Sequence, residues 1–101
     1  MRVRIKVIKV MFDPQLADRY LTKGSAVGPC PLLEEGQEFM FEGQAVMPRG
    51  LCPWAWIDIY KGVGALAAGG GHAPWNNHPA QTIVCCTDGI RPVVFELTAV
   101  E

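Results

Sequence analysis

Apolar and polar positions alternate from the first residues. Val3, Ile5 and Val7 fall on one side of an extended segment and Arg4 and Lys6 on the other, and the phase slips at Ile8, with Val10 and Phe12 continuing it. A bulge or strand end near Val7-Ile8 accounts for the slip. Asp13-Pro14 then predicts a helix start, because Asp caps free amides and Pro at the first helical position loses no needed donor. Leu16, Ala17, Tyr20 and Leu21 supply its apolar stripe, and Lys23-Gly24 ends it. Residues 25–36 read as an ordered loop in which Pro31 begins one helical turn through Glu35, stopped by Gly36. Gln37 to Phe41 alternates again, with Phe39 and Phe41 on one face and Met40 on the other. After a connection over 42–51, a second helix starts at Cys52-Pro53 and runs to Ala67 or Ala68, where Gly69 to Gly71 terminate it. Trp56, Tyr60, Val63 and Ala67 share helical spacing, as do Ile59, Val63 and Leu66. Gly62 and Gly64 each weaken that helix by roughly 1 kcal/mol relative to Ala, so close approach to a sheet is their expected use.

The stretch TIVCCTDGIRPVVFEL, Thr82 to Leu97, reads as one hairpin. Asp88-Gly89 is a signal for a two-residue type I′ turn. That turn pairs Cys86 with Arg91, Cys85 with Pro92, Val84 with Val93 and Thr82 with Phe95. One face then collects Thr82, Val84, Cys86, Arg91, Val93, Phe95 and Leu97, and the other Ile83, Cys85, Pro92, Val94 and Glu96. The first face is the more apolar and is placed on the core, with Cys86 and Arg91 at its open end.

These elements predict an α+β fold: a small four-stranded, mainly antiparallel sheet with two helices on one face, in the order β-α-β-α-β-β, strand order left open. A chain of 101 residues with 50% hydrophobic content suits a single domain spanning 1–101. A net charge of −1 with both signs dispersed gives no reason to expect nucleic acid or an anionic membrane as partner. No apolar run approaches the roughly 20 residues of a spanning helix. The amino-terminal MRVRIKVIKV lacks the apolar core of a signal peptide, so the expected location is cytoplasmic. In a reducing compartment the four cysteines are expected to be thiols, ligands or nucleophiles rather than disulfides.

Position suggests chemistry for several of them. Cys52, at a helix start before Pro53, sits where unpaired amides and the helix dipole favour negative charge. Cys30-Pro31 repeats the step. Cys86 across from Arg91 places a thiol beside a fixed cation, an arrangement that favours a thiolate. The plainer alternative makes Cys86 a small buried hydrophobe, Arg91 an edge residue packing its stem, and Asp88 an ordinary turn residue.

Cys30-Pro31 with Gly36 and Phe39, then Cys52 with Trp54-Ala55-Trp56, then CCTDGIRPVVF from Cys85 to Phe95, together resemble a family of small proteins from anaerobic bacteria and archaea with no assigned activity. The likeness covers nearly the whole chain. It implies that Cys30, Cys52, Cys85, Cys86, Asp88 and Arg91 form one constellation, and it implies no mechanism.

Three classes of function follow. Four thiolates satisfy tetrahedral zinc or an iron-sulfur cluster, so zinc or iron is the metal expected at Cys30, Cys52, Cys85 and Cys86. Against this, the spacings are wide and adjacent residues on a regular strand point to opposite faces, which makes a three-ligand site with one of the pair geometrically easier. His72 and His78 are further ligand candidates, although histidines in a Gly- and Pro-rich loop are more often solvated. A thiol-dependent enzyme would use Cys52 as nucleophile, Arg91 as anion clamp and Asp88 as orienting carboxylate; no C-x-x-C motif supports disulfide exchange of the thioredoxin kind. A binding module would line a pocket with Trp54, Trp56, Trp75 and Tyr60 around Arg91 and the thiols, suited to a small anionic or aromatic ligand, although Trp56 at helical spacing is also a core candidate. A structural homodimer, with Trp54 and Trp75 at its interface, is the remaining alternative. The leading expectation is a small molecule or metal ion bound at a thiol-rich site of Cys52, Cys86, Arg91 and Asp88, with Cys30 and Cys85 nearby.

Overall fold

A computed structural model describes residues 1–100. The elements are β1 (Arg2–Val10), α1 (Pro14–Tyr20), a 3-10 turn (Gly24–Val27), β2 (Glu38–Phe41), α2 (Pro53–Ala67), β3 (Gln81–Cys85) and β4 (Val93–Val100). The architecture is mixed α+β, with four antiparallel strands in the order β2-β1-β4-β3. β1 and β4, from opposite ends of the chain, therefore pair at the centre. Among the described residues no helix is long and apolar enough to cross a membrane.

The alternation in β1 does what it predicts. Val3, Ile5 and Val7 are fully buried, and the pairing with β4 shifts between Val7 and Lys9, so the bulge lies at Ile8. α2 lies across the sheet with Ala55, Ile59, Val63 and Leu66 buried, a pattern of three- and four-residue steps. It closes against Val3, Ile5, Val7, Phe95 and Leu97. Gly62 explains how closely: a Cβ there would lie 3.1 Å from Leu97 Cδ1 and 3.5 Å from Val84 Cγ1. The bare backbone lets helix and sheet touch.

Three local expectations are corrected. Pro31 to Glu35 forms no helical turn. The backbone of this segment is drawn toward β1 instead, with Gly36 N donating to Val7 O at 2.8 Å and the Glu35 carboxylate accepting from Val10 N at 3.1 Å. α1 does start at Asp13, whose carboxylate accepts from Leu16 N at 3.0 Å, but it stops at Tyr20 and buries only Ala17. Leu16 and Tyr20 are exposed, and the Tyr20 ring meets the Arg19 guanidinium at 5.5 Å.

The third correction concerns the hairpin. β3 and β4 pair Val84 with Phe95 and Cys85 with Val94, two positions beyond the expected register, and a seven-residue connection, Cys86 to Pro92, replaces the two-residue turn. No residue of Asp88-Gly89 takes the positive φ that a type I′ turn requires. Two forces open the loop. Pro92 has no amide to give the ladder, and Met11 N and Asp13 N, beyond the end of β1, bond to Pro92 O and Ile90 O at 2.9 Å each. Because the displacement is an even number, the side chains still within the strands keep their expected faces: Thr82, Val93, Phe95 and Leu97 are buried under α2, and Ile83 and Cys85 are exposed.

Candidate functional site

The widened β3–β4 connection and the start of α2 come together at one end of the sheet. Between them, closed on a third side by the loop after Cys30, lies a cavity of about 240 Å3 that opens to solvent. It is lined by Cys30, Cys52 and Cys86, by Asp88 and Arg91, and by Trp54 at its rim.

Each of these side chains has a local cause. Cys52 is the N-cap residue of α2, with Pro53 first in the helix, but its side chain makes no capping hydrogen bond. The first bond of the helix runs from Trp56 N to Cys52 O at 2.9 Å, so the amides of Trp54 and Ala55 precede the intrahelical ladder. Asp88 folds the connection back on itself. Its Oδ1 accepts from Ile90 N and Arg91 N at 2.9 Å each, and its Oδ2 accepts from Arg91 Nε at 3.0 Å. Burial alone would raise the Asp88 pKa, but the backbone bonds from Arg91 and Ile90, with the Arg91 guanidinium, outweigh it and hold the carboxyl below its ordinary value. Arg91 is thereby oriented through Nε, and its terminal nitrogens make no hydrogen bond to the protein among the described residues. Cys86 bonds twice to Val93: its amide donates to Val93 O at 3.0 Å, and its sulfur accepts from Val93 N at 3.3 Å.

Cys85 does not join this group. It is the last residue of β3, exposed, and on the sheet face away from α2, whereas Cys86 is half-buried against the core. The expected four-cysteine set therefore does not assemble, since neighbouring residues of an extended chain leave it in opposite directions. Among the described residues no group of three or more His, Cys, Asp or Glu side chains is placed to hold a metal ion.

Trp75 is also elsewhere. It is 89% exposed, in the loop that joins the far end of α2 to the start of β3. A helix of this length carries the chain about 22 Å from the cavity before that loop begins. His72 and His78 lie in the same loop, where His78 Nδ1 accepts from Ala80 N at 3.1 Å. The cavity walls also include Leu32, Leu33, Thr87 and Val93, which the pattern did not single out. Leu32 and Leu33 follow Cys30-Pro31 directly; an apolar pair set between Pro31 and Glu34-Glu35 was the available signal.

No family model matches the chain, and neither the curated proteins nor the solved structures hold a match to it.

The chemistry open to such a cavity is limited by its groups. It has apolar walls, an exposed indole at the rim, three thiols from distant parts of the chain, and one guanidinium with donors to spare. Asp88 cancels much of the long-range charge of Arg91. What remains is directional: the outer fork of a planar cation, which fits a carboxylate better than a diffuse field would.

Proposed function

We propose that this chain binds a small anionic ligand with a flat apolar body in the cavity between the α2 N-terminus and the β3–β4 connection. The carrying observation is Arg91, anchored through Nε by Asp88, with its terminal nitrogens unused in a largely apolar pocket. In this reading the ligand's anionic group takes the free fork of Arg91. Its apolar body lies against Leu33 and Val93 and under Trp54, which at 70% exposure gains most from being covered. The volume suits a single aromatic ring with a carboxylate rather than a nucleotide.

Benzoate and its neutral isostere benzamide test the reading. Nitrogen-15 NMR titration is expected to move the Arg91 Nε and Trp54 indole signals with benzoate and much less with benzamide. Arg91→Ala should weaken benzoate binding by about tenfold, the scale of one charge-assisted hydrogen-bond pair. Equal response to acid and amide, or binding that survives Arg91→Ala unchanged, would overturn it.

A further inference from the structure

The Cys85-Cys86 step offers a comparison the protein makes within itself. The two thiols are adjacent in sequence, yet Cys85 is exposed on the open sheet face while Cys86 is half-buried at the cavity. Exposure alone would make Cys85 the more reactive. Geometry argues the reverse for one class of reagent. The Cys86 sulfur is held by the Val93 amide at 3.3 Å and lines the same cavity as the free fork of Arg91. An anionic molecule drawn to that guanidinium is concentrated beside the three cavity thiols and away from Cys85, and of those three only Cys86 has a backbone N–H on its sulfur among the described residues. Apolar walls further favour a reagent with a ring or short hydrocarbon body.

We infer that Cys86 is a covalent modification site selective for small disulfides that carry a carboxylate, which deepens and rests on the anion-binding reading above. In the step, the Cys86 thiolate attacks one sulfur of the incoming disulfide along the sulfur–sulfur axis. A new bond from Cys86 Sγ to that sulfur forms as the original S–S bond breaks. The other half leaves as a thiolate and takes up a proton from water. Cys86 is oxidised to the mixed disulfide and the departing half is reduced to a thiol, so atoms and electrons balance with no further reagent.

The test uses the full chain, reduced, against three probes: 5,5′-dithiobis(2-nitrobenzoate), neutral hydroxyethyl disulfide and cationic cystamine. Each rate is divided by that of free cysteine with the same probe, and peptide mass spectrometry assigns the modified residue in wild type, Cys85→Ser and Cys86→Ser. The expected result is preferential labelling of Cys86 by the aromatic dianion, retained in Cys85→Ser and lost in Cys86→Ser. Arg91→Ala in the Cys85→Ser background should reduce the normalised dianion rate by about fivefold or more, and leave the cystamine rate level or raised. Should Arg91→Ala not fold, the wild-type dianion advantage must still fall as salt rises from low to molar, where screening is short-ranged. First labelling at Cys85, or a dianion rate indifferent to both Arg91 and salt, overturns the proposal. Benzoate binding without selective Cys86 labelling would sink this inference and leave the binding reading standing. Loss of both would sink the two together.

Discussion

The two faces of the sheet are made from the same strands and live in different solvents. Under α2 lie Val3, Ile5, Val7, Val93, Phe95 and Leu97, none more than 1% exposed. The opposite face carries Arg4, Lys6, Glu96, Ile83 and Cys85, none of them buried, with Lys6 directly across from Glu96. One face is held by exclusion of water, and the other meets solvent with a mixture of charged and apolar side chains. The difference teaches how the site is made. A one-residue step along the chain moves a side chain from one regime to the other, and the Cys85-Cys86 pair straddles that boundary where the strand gives way to the loop.

The widest gap between the faces should appear on truncation. Phe95→Ala is expected to destabilise by about 3–5 kcal/mol, because it opens a cavity beneath α2, whereas Ile83→Ala, at a position 49% exposed, should cost about 1 kcal/mol or less. Urea denaturation measures both, and comparable midpoint shifts would erase the distinction.

The connection that leads out of the sheet comes next. Asp88→Ala removes an acceptor of three hydrogen bonds and should cost about 1–3 kcal/mol, together with the benzoate response at Arg91. The ion pair itself contributes little of this, since both side chains are about one-third exposed. Asp88→Asn, which keeps an oxygen for the two amides, should lose less stability. A loop unaffected by Asp88→Ala would mean that the Met11 and Asp13 contacts alone shape it.

Helix-to-sheet contact under α2 is sharpened by a pair of glycines two residues apart. Gly64 faces open space, so Gly64→Ala should stabilise by about 0.5–1 kcal/mol through helix propensity. At Gly62 the same gain meets the Leu97 methyl at 3.1 Å, and overpacking of about 1 kcal/mol or more cancels or reverses it. Thermal midpoints rising equally in both variants would show that α2 stands farther from the sheet than these distances state.

The smallest effect is a pH dependence. The Asp88 carboxyl titrates lower in the folded chain than in the unfolded one, so the unfolded state binds more protons in the window between the two values. The Asp88 contribution is complete above about pH 4 and is lost as pH falls through the lowered native value. Denaturation of wild type and Asp88→Asn at pH 6 and pH 3 isolates it: the wild type should lose the larger share of its stability, and parallel losses would remove Asp88 from the account.

Much of the architecture was legible in the chain. The period-two run of β1, its slip at Ile8, the Asp13 cap and the span of α2 from Pro53 to Ala67 followed from side-chain periodicity and local backbone preference. The Cys30-Pro31 step misled, because Pro31 permits a helical turn without requiring one, and hydrogen bonds to β1 took the backbone of that segment instead. The hairpin turn misled for a related reason: the intrinsic preference of Asp88-Gly89 gave way to the hydrogen bonds from Met11 and Asp13 to Pro92 and Ile90 in the connection. The candidate site was legible in its sulfur and arginine, but not in its boundaries. Nothing in residue order reports that Leu33 and Val93 share a wall, or that the loop holding Trp75 lies a helix length away.

What the amino acids determined alone is the parity of each strand and the start and stop of α2, properties set within a few residues by stereochemistry and side-chain type. Tertiary structure decided which distant segments meet. Pairing β1 with β4 at the centre of the sheet pins the 90–92 backbone to the end of β1, opens the β3–β4 connection, and leaves room there for three thiols and one guanidinium to face a single cavity. That outcome depends on hydrogen bonds and burial between residues nearly a hundred positions apart, as in the pairing of Arg2 with Val100, which local preference does not encode.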